Sequence, residues 1–407
     1  MSSSLLYHAW GTRGYRYLRT RYEEGAIRFD LTPSTLRCPS CTSPKVTRKQ
    51  SRWRELRTVP IGRRAVFLNV EVPRVRCTKC ERVSEIHPPF ADPQRSYTRQ
   101  LEQYVVDLNR VTTLKGTAAF TGLSWDVVKD IERRHLARHY GRPDLRGVRY
   151  IAVDEIAVRR GHDYMTVVMD LESGRVLHVL EGKDSKALKP FLLELARRNT
   201  KLKGIAMDMS KAYAKAAREV FPKVPIVFDR FHVVKLVNEC IDEVRSAHLA
   251  ETSKTGRSVV QGARYLLLMN EATLEKREKK RPGARARLEA ALAANAPLSK
   301  AYYLKEKIRH VWDEPDRASA ERCLNECIEE ADQSGVRLLK RLGKRLAAWR
   351  TGILAYFDTE RRLTSGPLEG LNNKIKTLKR MAYGYRDMEF FKLKIKGLHE
   401  SRYRLVG

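Results

Sequence analysis

The stretch that decides the fold begins at Tyr150 with YIAVDEIAV (150–158) and continues through DYMTVVMDL (163–171) and RVLHVLEG (175–182). Each run is apolar or alternates between apolar and polar residues, and the short polar segments RRGH and ESG separate them. This pattern is typical of antiparallel strands joined by turns. The sequence therefore predicts a three-strand meander that starts at residue 150.

Helices and strands alternate after this meander. The runs 185–199, 211–221 and 229–251 repeat apolar residues at helical spacing, whereas KGIAMDM (203–209) and PIVF (225–228) are short apolar strands. The resulting order is three strands, helix, strand, helix, strand, helix. That order predicts a ribonuclease-H-like core.

Two carboxylates interrupt the apolar strands of this core. Asp154 lies inside the first strand, and Asp208 ends the fourth. A charge in a buried strand costs free energy unless a partner such as a divalent cation compensates it. With Glu369 from a helix packed on the sheet, the two would give an all-oxygen site for two Mg²⁺ ions. The alternative is that Asp154 is an edge-strand charge and Asp208 caps the next helix.

Glu369 lies in TSGPLEGLNNKIKTLKRMAYGY (364–385), a helical run in a strongly basic part of the sequence. A solvated helix would mix acids among its lysines for pairing, so this composition favours a surface that meets phosphate. The alternative is a basic solvated helix with one stray glutamate. Asn372, Asn373 and Lys376 follow Glu369 at three, four and seven residues, so they share a helical face with it, and we expect them to contact DNA. The full set of predicted DNA contacts on this helix is Asn372, Asn373, Lys376, Lys379 and Arg380.

Asp229 and His232 stand three residues apart at the start of the helix that follows the last strand. They could lie near the metal ions, position DNA, or only cap and pack the helix. For His232 the packing role is an equal alternative, because a helical histidine beside Phe231 is often only a hydrogen-bonded structural residue. The sequence leaves their role open.

The net charge of the chain restricts its partners. Its 407 residues carry 80 Lys and Arg against 48 Asp and Glu, a formal charge of +32, so nucleic acid is the leading candidate. Ribosomal and membrane-surface proteins are also basic, so charge alone does not decide. No apolar run reaches the roughly 18 residues of a membrane span, and the N-terminus has no signal-peptide core. A cytoplasmic protein without membrane contact is expected.

Four of the seven cysteines form two matched pairs. CPSC places Cys38 and Cys41 together, CTKC places Cys77 and Cys80 together, and 35 residues separate the pairs. Two such turns can aim four thiolates at one zinc ion, and two strands with Gly62 between them would link the pairs as in a zinc ribbon. Four Cys ligands close the coordination shell, so the Zn²⁺ would be structural. Unrelated pairs of core cysteines are the alternative.

Residues 97–140 predict three helices, with a turn at Thr121–Gly122 and Ser124 as the N-cap of the third. These proportions match a helix-turn-helix domain, in which the last helix enters the DNA groove. A three-helix packing without DNA contacts is the alternative. The predicted groove-facing residues are Trp125, Asp126, Lys129 and Arg133.

The region 252–360 is helical by period and interrupts the core, with a break at Pro282–Gly283. Cys323 and Cys327 are four apart on a helix and are expected to be core or partly exposed thiols. The basic residues from Lys340 to Arg350 could follow a DNA backbone or could equally be solvated.

These observations predict a multidomain α/β protein in which a ribonuclease-H-like core with an all-helical insertion follows a zinc ribbon and a helix-turn-helix domain. The predicted divisions are a basic N-terminal arm (1–30), the zinc-binding ribbon (31–92), the helix-turn-helix domain (95–142), the first part of the core (147–251), the helical insertion (252–360), and the last part of the core with the Glu369 helix and a basic C-terminus (361–407).

The motifs AVDEIAV, FDRFHVVK and EGLNNKIK resemble those of transposases of the ISL-three family of bacterial insertion sequences, which are DDE enzymes. The resemblance extends over nearly the whole chain from about residue 37. It implies that Asp154, Asp208 and Glu369 are the catalytic triad. It also implies that Asp229 and His232 are the Asp-x-x-His element of insertion-bearing DDE folds. The three acids show no departure from the family pattern.

The expected function is therefore that of a DDE transposase in the bacterial cytoplasm, associated with the nucleoid. It would bind the terminal inverted repeats of its element and target DNA as a homodimer, and cut and rejoin DNA with two Mg²⁺ ions. The runner-up is a DNA-binding regulator that uses the zinc and helix-turn-helix modules on an inert core. A ribonuclease-H-type enzyme that cleaves RNA is a third option, disfavoured because the N-terminal modules suit duplex DNA.

Overall fold

The computed structural model describes residues 3–158, 164–182, 185–198, 201–251 and 260–398. The described chain divides into two units: the first holds residues 3–142 together with 381–386, and the second holds the described residues of 143–380 together with 387–398. No helix in the described ranges combines the length and the apolar composition that crossing a membrane requires.

The first unit contains a mixed sheet. Its strand order is β1-β2-β4-β3, with β5 paired to β4. Strands β3 and β4 are the hairpin predicted between the cysteine pairs, and Gly62 turns it with a φ of 58°. The elements are α1 (Ser3–Trp10), β1 (Tyr15–Glu23), β2 (Ala26–Pro33), β3 (Val46–Ile61), β4 (Arg64–Cys77) and β5 (Val83–Glu85).

The predicted basic arm at 1–30 differs from the structure, in which residues 3–10 form a helix and most of 15–30 belongs to the sheet. Strand β1 pairs antiparallel with β2, and β2 pairs parallel with β4. Phe29 and Leu31 are fully buried in the core of this sheet. The guanidinium groups of Arg19 and Arg21 bind the Asp30 carboxylate at 2.7 and 3.1 Å. The basic residues that suggested an arm are therefore partly neutralised within the sheet.

Three helices follow in the first unit, α2 (Arg99–Val111), α3 (Leu114–Thr121) and α4 (Trp125–Tyr140). The side chain of Ser124 accepts the backbone N–H of Val127, as an N-cap does. Gly122 ends α3 in the left-handed conformation, with a φ of 68°. The predicted helix-turn-helix arrangement is confirmed.

The second unit is built on a five-stranded sheet of order β10-β9-β6-β7-β8. The first three strands of this unit, β6, β7 and β8, pair antiparallel, whereas β9 pairs parallel with β6 and β10 pairs parallel with β9. This is the ribonuclease-H-like topology that the sequence predicted. The elements are β6 (Tyr150–Ala157), β7 (Tyr164–Asp170), β8 (Val176–Glu181), α5 (Ser185–Arg198), β9 (Gly204–Met207), α6 (Lys211–Val220), β10 (Ile226–Phe228) and α7 (Arg230–Glu251).

The insertion is helical in its described part. Helix α9 has the mostly charged sequence EATLEKREKK (271–280), and Leu274 is its one buried residue. Cys327 is buried and Cys323 is partly exposed, as predicted for core thiols. The helices are α8 (Arg264–Leu268), α9 (Glu271–Lys280), α10 (Ala284–Ala293), α11 (Ala296–His310), α12 (Arg317–Gln333) and α13 (Arg337–Leu354).

The C-terminal end of α13 packs on the five-stranded sheet. The ring of Trp349 contacts that of Phe228 edge-on, with centroids 4.9 Å apart. A Cβ at Gly352 would lie 2.2 Å from the Phe228 ring, so only glycine allows this approach. Helices α14 (Gly366–Met381) and α15 (Met388–Lys396) complete the described chain. The end of the predicted basic C-terminus, 399–407, lies outside the described residues.

Candidate active site and metal centre

Asp154 and Asp208 are neighbours at the point where the pairing of β6 with β9 ends. The two strands are parallel, and Val153 pairs with Met207. Asp154 follows Val153 within β6 and Asp208 follows Met207 directly after β9, so the two residues lie beside each other. Both are half-buried. The sequence prediction that these two acids meet is therefore matched by the strand register.

The electrostatics of Asp154 reflect this proximity. Burial raises the pKa of Asp154, and the nearby Asp208 carboxylate raises it further, whereas His232 and the amide of Asn372 oppose the shift. Two adjacent carboxylates in a partly buried place are unfavourable together unless a positive charge compensates them. A divalent cation would supply that charge.

Helix α14 reaches this pair through Asn372. Its amide nitrogen donates to Oδ2 of Asp154 at 2.7 Å. Its amide oxygen is buried and has no hydrogen-bond partner in the described part of the chain. Two carboxylates and a free amide oxygen are hard donors of the type that Mg²⁺ prefers, so these residues fit the expected ion. Asn372 was predicted to bind DNA, but its place suits a residue that holds Asp154.

Glu369 lies one turn before Asn372 on α14 and is exposed. Across the described ranges, the four cysteines are the one group of three or more His, Cys, Asp or Glu whose ligand atoms all lie within 4.8 Å of one another. The three acids therefore do not form such a group. The structure places Asp154 and Asp208 on neighbouring parts of the sheet and the Glu369 helix against Asp154, and the three carboxylates do not all lie within 4.8 Å of one another.

Asp229 joins the sheet to the start of the Glu369 helix. Its carboxylate is buried, with 3% of the residue exposed. One oxygen accepts the N–H of Phe231 at 2.6 Å, and the other accepts the N–H of Ser365 at 2.7 Å and also the Ser365 hydroxyl. Its own N–H donates to the carbonyl of Met207, the residue before Asp208. Asp229 thus ties the segment before α14, through its carboxylate, to the end of β9, through its backbone N–H.

His232 touches the acid pair directly. Its Nδ1 lies 3.3 Å from Oδ1 of Asp208. Asp229 and His232 therefore meet two different parts of the site, since Asp229 binds the start of the Glu369 helix and His232 contacts Asp208. This arrangement is more specific than the packing role that the sequence left open for His232.

The remaining predicted DNA contacts are distributed on α14 and α4. Lys376, Arg380 and Asn373 are exposed on α14, whereas the Lys379 ammonium donates to the carbonyl of Val158 at 2.9 Å. Lys379 therefore holds α14 to the end of β6. On α4 the exposed ring of Trp125 carries the Lys129 ammonium 5.0 Å from its centroid, and Arg133 is exposed two turns after Trp125.

The cysteines form a metal centre in the first unit. The sulfur of Cys38 lies 3.6 Å from that of Cys80, and the sulfur of Cys41 lies 3.5 Å from that of Cys77. Four sulfurs around Zn²⁺ at about 2.3 Å would be about 3.8 Å apart, so the spacing fits a tetrahedral ion. The backbone N–H of Cys41 lowers the pKa of Cys38 to about 6, which favours the thiolate. This is a structural zinc site.

Sequence reasoning missed Ser365 as a contact of the site. The string TSGPLEG carries a helix-start signal, with Ser before Gly-Pro. That signal predicts a cap for α14 and gives no indication of a bond to Asp229, which is 136 positions away. The bond between Asn372 and Asp154 was likewise outside the reach of local patterns.

Comparison with known families covers most of the chain. A family model described as "Transposase", of the ISL3 type, matches residues 151–395. A model described as the zinc-finger of transposase IS204/IS1001/IS1096/IS1165 matches 34–80. A model of the helix-turn-helix domain of transposase family ISL3 matches 86–136.

Individual proteins are similar over nearly the same length. The transposase for insertion sequence element IS1001 of Bordetella parapertussis is 31% identical over 395 residues, 95% of each chain. The transposase for insertion sequence element IS1557 of Mycobacterium tuberculosis is 28% identical over 358 residues, 82% of this chain and 78% of that protein. The solved Drosophila P element transposase strand transfer complex is 13% identical, covers 75% of this chain and 92% of that chain, and has a TM-score of 0.42.

Proposed function

Because the chain belongs to the ISL3 family of transposases, we propose that it binds the terminal inverted repeats of its insertion sequence and catalyses metal-dependent DNA cleavage and strand transfer. The observation that carries this proposal is the side-by-side placement of Asp154 and Asp208, with the Glu369 helix bonded to Asp154 through Asn372. DNA transposase activity is common to the family, and the DDE chemistry is our assignment to these residues.

In this proposal Asp154, Asp208 and Glu369 hold two Mg²⁺ ions. Ions in such a site activate an attacking oxygen and stabilise the leaving oxygen of a phosphodiester. Glu369 lies three residues before Asn372 on α14, and side chains at that spacing have Cβ atoms about 5–6 Å apart. Its carboxylate is therefore the one on α14 that lies near the bond from Asn372 to Asp154. Asn372 and His232 would orient Asp154 and Asp208, and Asp229 would fix the start of α14.

The reaction has two steps that need no covalent enzyme intermediate. Water attacks the phosphodiester at the element end, and the bond from phosphorus to the 3′ oxygen breaks, which frees a 3′-hydroxyl. That hydroxyl then attacks a phosphodiester of target DNA, and a new 3′ oxygen leaves. Lys376 and Asn373 would hold DNA near Glu369 through contacts to phosphate and base or sugar.

The other modules would supply recognition. The zinc ribbon and α4, through Trp125, Lys129 and Arg133, would bind the duplex of the terminal repeats. Joining two element ends requires two active sites in one complex, so we infer a homodimer on DNA. The protein would act in the bacterial cytoplasm, on the nucleoid.

The decisive experiment uses a labelled terminal-repeat duplex with and without Mg²⁺. We expect release of a strand with a 3′-hydroxyl at the element end, only with the metal. A shifted duplex that is never cut would instead support the DNA-binding regulator. Preferential cleavage of an RNA–DNA hybrid over repeat DNA would support the ribonuclease-H-type alternative.

A further inference from the structure

Helix α13 carries a basic face that the proposed active site does not use. Its Lys and Arg side chains follow one another at spacings of three and four, so they share one side of the helix. The opposite side, with Leu339, Leu342 and Leu346, is buried. The basic side chains are all exposed, and we call them the α13 stripe: Arg337, Lys340, Arg341, Lys344 and Arg345.

Most of this charge is uncompensated. The sequence contains no Asp or Glu between Asp332 and Asp358. Arg341 pairs with Glu243 across to α7. Within the part of the chain that the structure describes, the other four members have no carboxylate oxygen within 4.0 Å. A face that serves only solubility usually mixes charges of both signs, as α9 does with its alternating Glu and Lys residues.

The stripe belongs to a helix that is fixed to the catalytic sheet. Trp349 and Gly352, in the C-terminal part of α13, pack on Phe228. Phe228 is the last residue of β10 and precedes Asp229, which bonds to the segment before the Glu369 helix. A ligand bound by the stripe would therefore be held at a defined place relative to the acid pair.

We propose that the α13 stripe binds the phosphate backbone of duplex DNA without reading its sequence. From Arg337 to Arg345 the helix rises about 12 Å, at about 1.5 Å per residue. That length matches roughly three to four base-pair steps of about 3.4 Å each, so several phosphates of one strand lie within reach. The proposal concerns binding only and does not depend on the catalytic assignment.

The test measures how salt weakens binding. The triple variant Lys340→Ala, Lys344→Ala, Arg345→Ala keeps good helix formers at exposed positions. Binding of a fluorescent duplex is measured by anisotropy over a NaCl series without added Mg²⁺, once with a terminal-repeat sequence and once with an unrelated sequence. We expect the slope of log affinity against log salt to fall by about 0.9 for each phosphate that the variant no longer neutralises, equally for both duplexes.

The matched control removes the same charge elsewhere. Lys276→Ala, Lys279→Ala, Lys280→Ala on α9 also removes three exposed positive charges from the insertion. We expect it to change the slope by less than the equivalent of one phosphate, and we expect Lys340→Arg, Lys344→Arg to keep the wild-type slope. An unchanged slope in the stripe variant, or an equal fall in the α9 control, would overturn the proposal. The two slopes can be measured whether or not the protein cuts DNA. A result that overturns the stripe proposal is therefore distinct from a failure of the proposed cleavage.

Discussion

The two polar centres of this protein, the four cysteines and the three acids, are assembled in different ways. The cysteines come from the turns that precede β3 and follow β4, at the open end of one hairpin. Their sulfurs already lie close enough together to bind one zinc ion. The acids come from one strand, the residue that follows another, and a helix beyond a long insertion, and their carboxylates do not all lie within 4.8 Å of one another. A centre built from neighbouring turns is preformed, whereas one built from distant elements depends on what holds those elements together.

The chemistry of the ligands explains part of this difference. Thiols can be neutral before a metal binds, so four of them can meet at little electrostatic cost. Carboxylates are charged at neutral pH, and the pKa of Asp154 is already raised by burial and by its neighbour Asp208. A third carboxylate would add repulsion. We therefore expect Glu369 to join the pair only when a cation compensates the charge.

The largest expected effect comes from removing one of the paired acids. Asp154→Ala should reduce Mg²⁺-dependent cleavage of terminal-repeat DNA below about one-thousandth of wild type, because it removes a proposed Mg²⁺ ligand that the other proposed ligands cannot replace. Binding of the same duplex should stay within about twofold. Strand release is measured on a denaturing gel, with Asp144→Ala, an exposed aspartate on the same unit, as the control. Cleavage by the Asp154 variant would show that the acid site is assigned wrongly.

The zinc centre should be a stability element and no part of the chemistry. Cys77→Ser should eliminate the single zinc ion per chain that metal analysis of the wild type should detect. It should also abolish terminal-repeat binding, because structural zinc contributes about 10 kcal/mol or more to the folding of such modules. Cys323→Ser, a partly exposed thiol of the insertion, should keep both. If the Cys77 variant kept its zinc and its DNA affinity, the cysteine centre would not be a closed site of four thiolates.

A smaller effect is expected where Asp229 ties the sheet to the Glu369 helix. In Asp229→Asn one carboxylate oxygen becomes an N–H₂ group, which faces the N–H donor of either Phe231 or Ser365. Cleavage should fall about 10- to 100-fold and require more Mg²⁺, the range seen when residues behind metal ligands are changed.

The control is Asp170→Asn. Asp170 ends β7 in the same sheet and is also buried, and its carboxylate accepts the N–H of Glu172 and the hydroxyl of Ser173. It should lower thermal stability without changing the Mg²⁺ requirement of the folded protein. Hydrogen exchange of the peptide around residue 365 should quicken only in the Asp229 variant. Equal effects of the two substitutions would mean that Asp229 serves stability alone.

The smallest effect concerns the bond between Asn372 and Asp154. Asn372→Ala removes a hydrogen bond of about 1 kcal/mol and should reduce cleavage about tenfold at limiting Mg²⁺, with much less reduction at saturating Mg²⁺. Asn373→Ala, its exposed neighbour, should leave the Mg²⁺ dependence unchanged and weaken DNA binding instead. Identical Mg²⁺ titrations for the two variants would remove Asn372 from the site.

The same contrast shows what could be predicted from the sequence. The Cys pairs and the strands around Asp154 and Asp208 carry local signals, namely matched turns and a charge in an apolar run, and the structure agrees with both. Strands β1 and β2 were missed because Arg and Tyr hide their alternation, although Phe29 and Leu31 are buried in the sheet. The bond from Asp229 to Ser365 has no local signal, because its cause is the packing of segments 136 positions apart.

The position of the insertion has a consequence for protein synthesis. The ribosome completes the zinc ribbon, the helix-turn-helix domain and both strand aspartates before it adds more than a hundred residues that separate them from Gly366 and Glu369. A nascent or prematurely terminated chain would thus contain the recognition modules without the last carboxylate. With the function proposed above, such shortened products would occupy element ends without cutting them, and would act as competitors of the full-length protein.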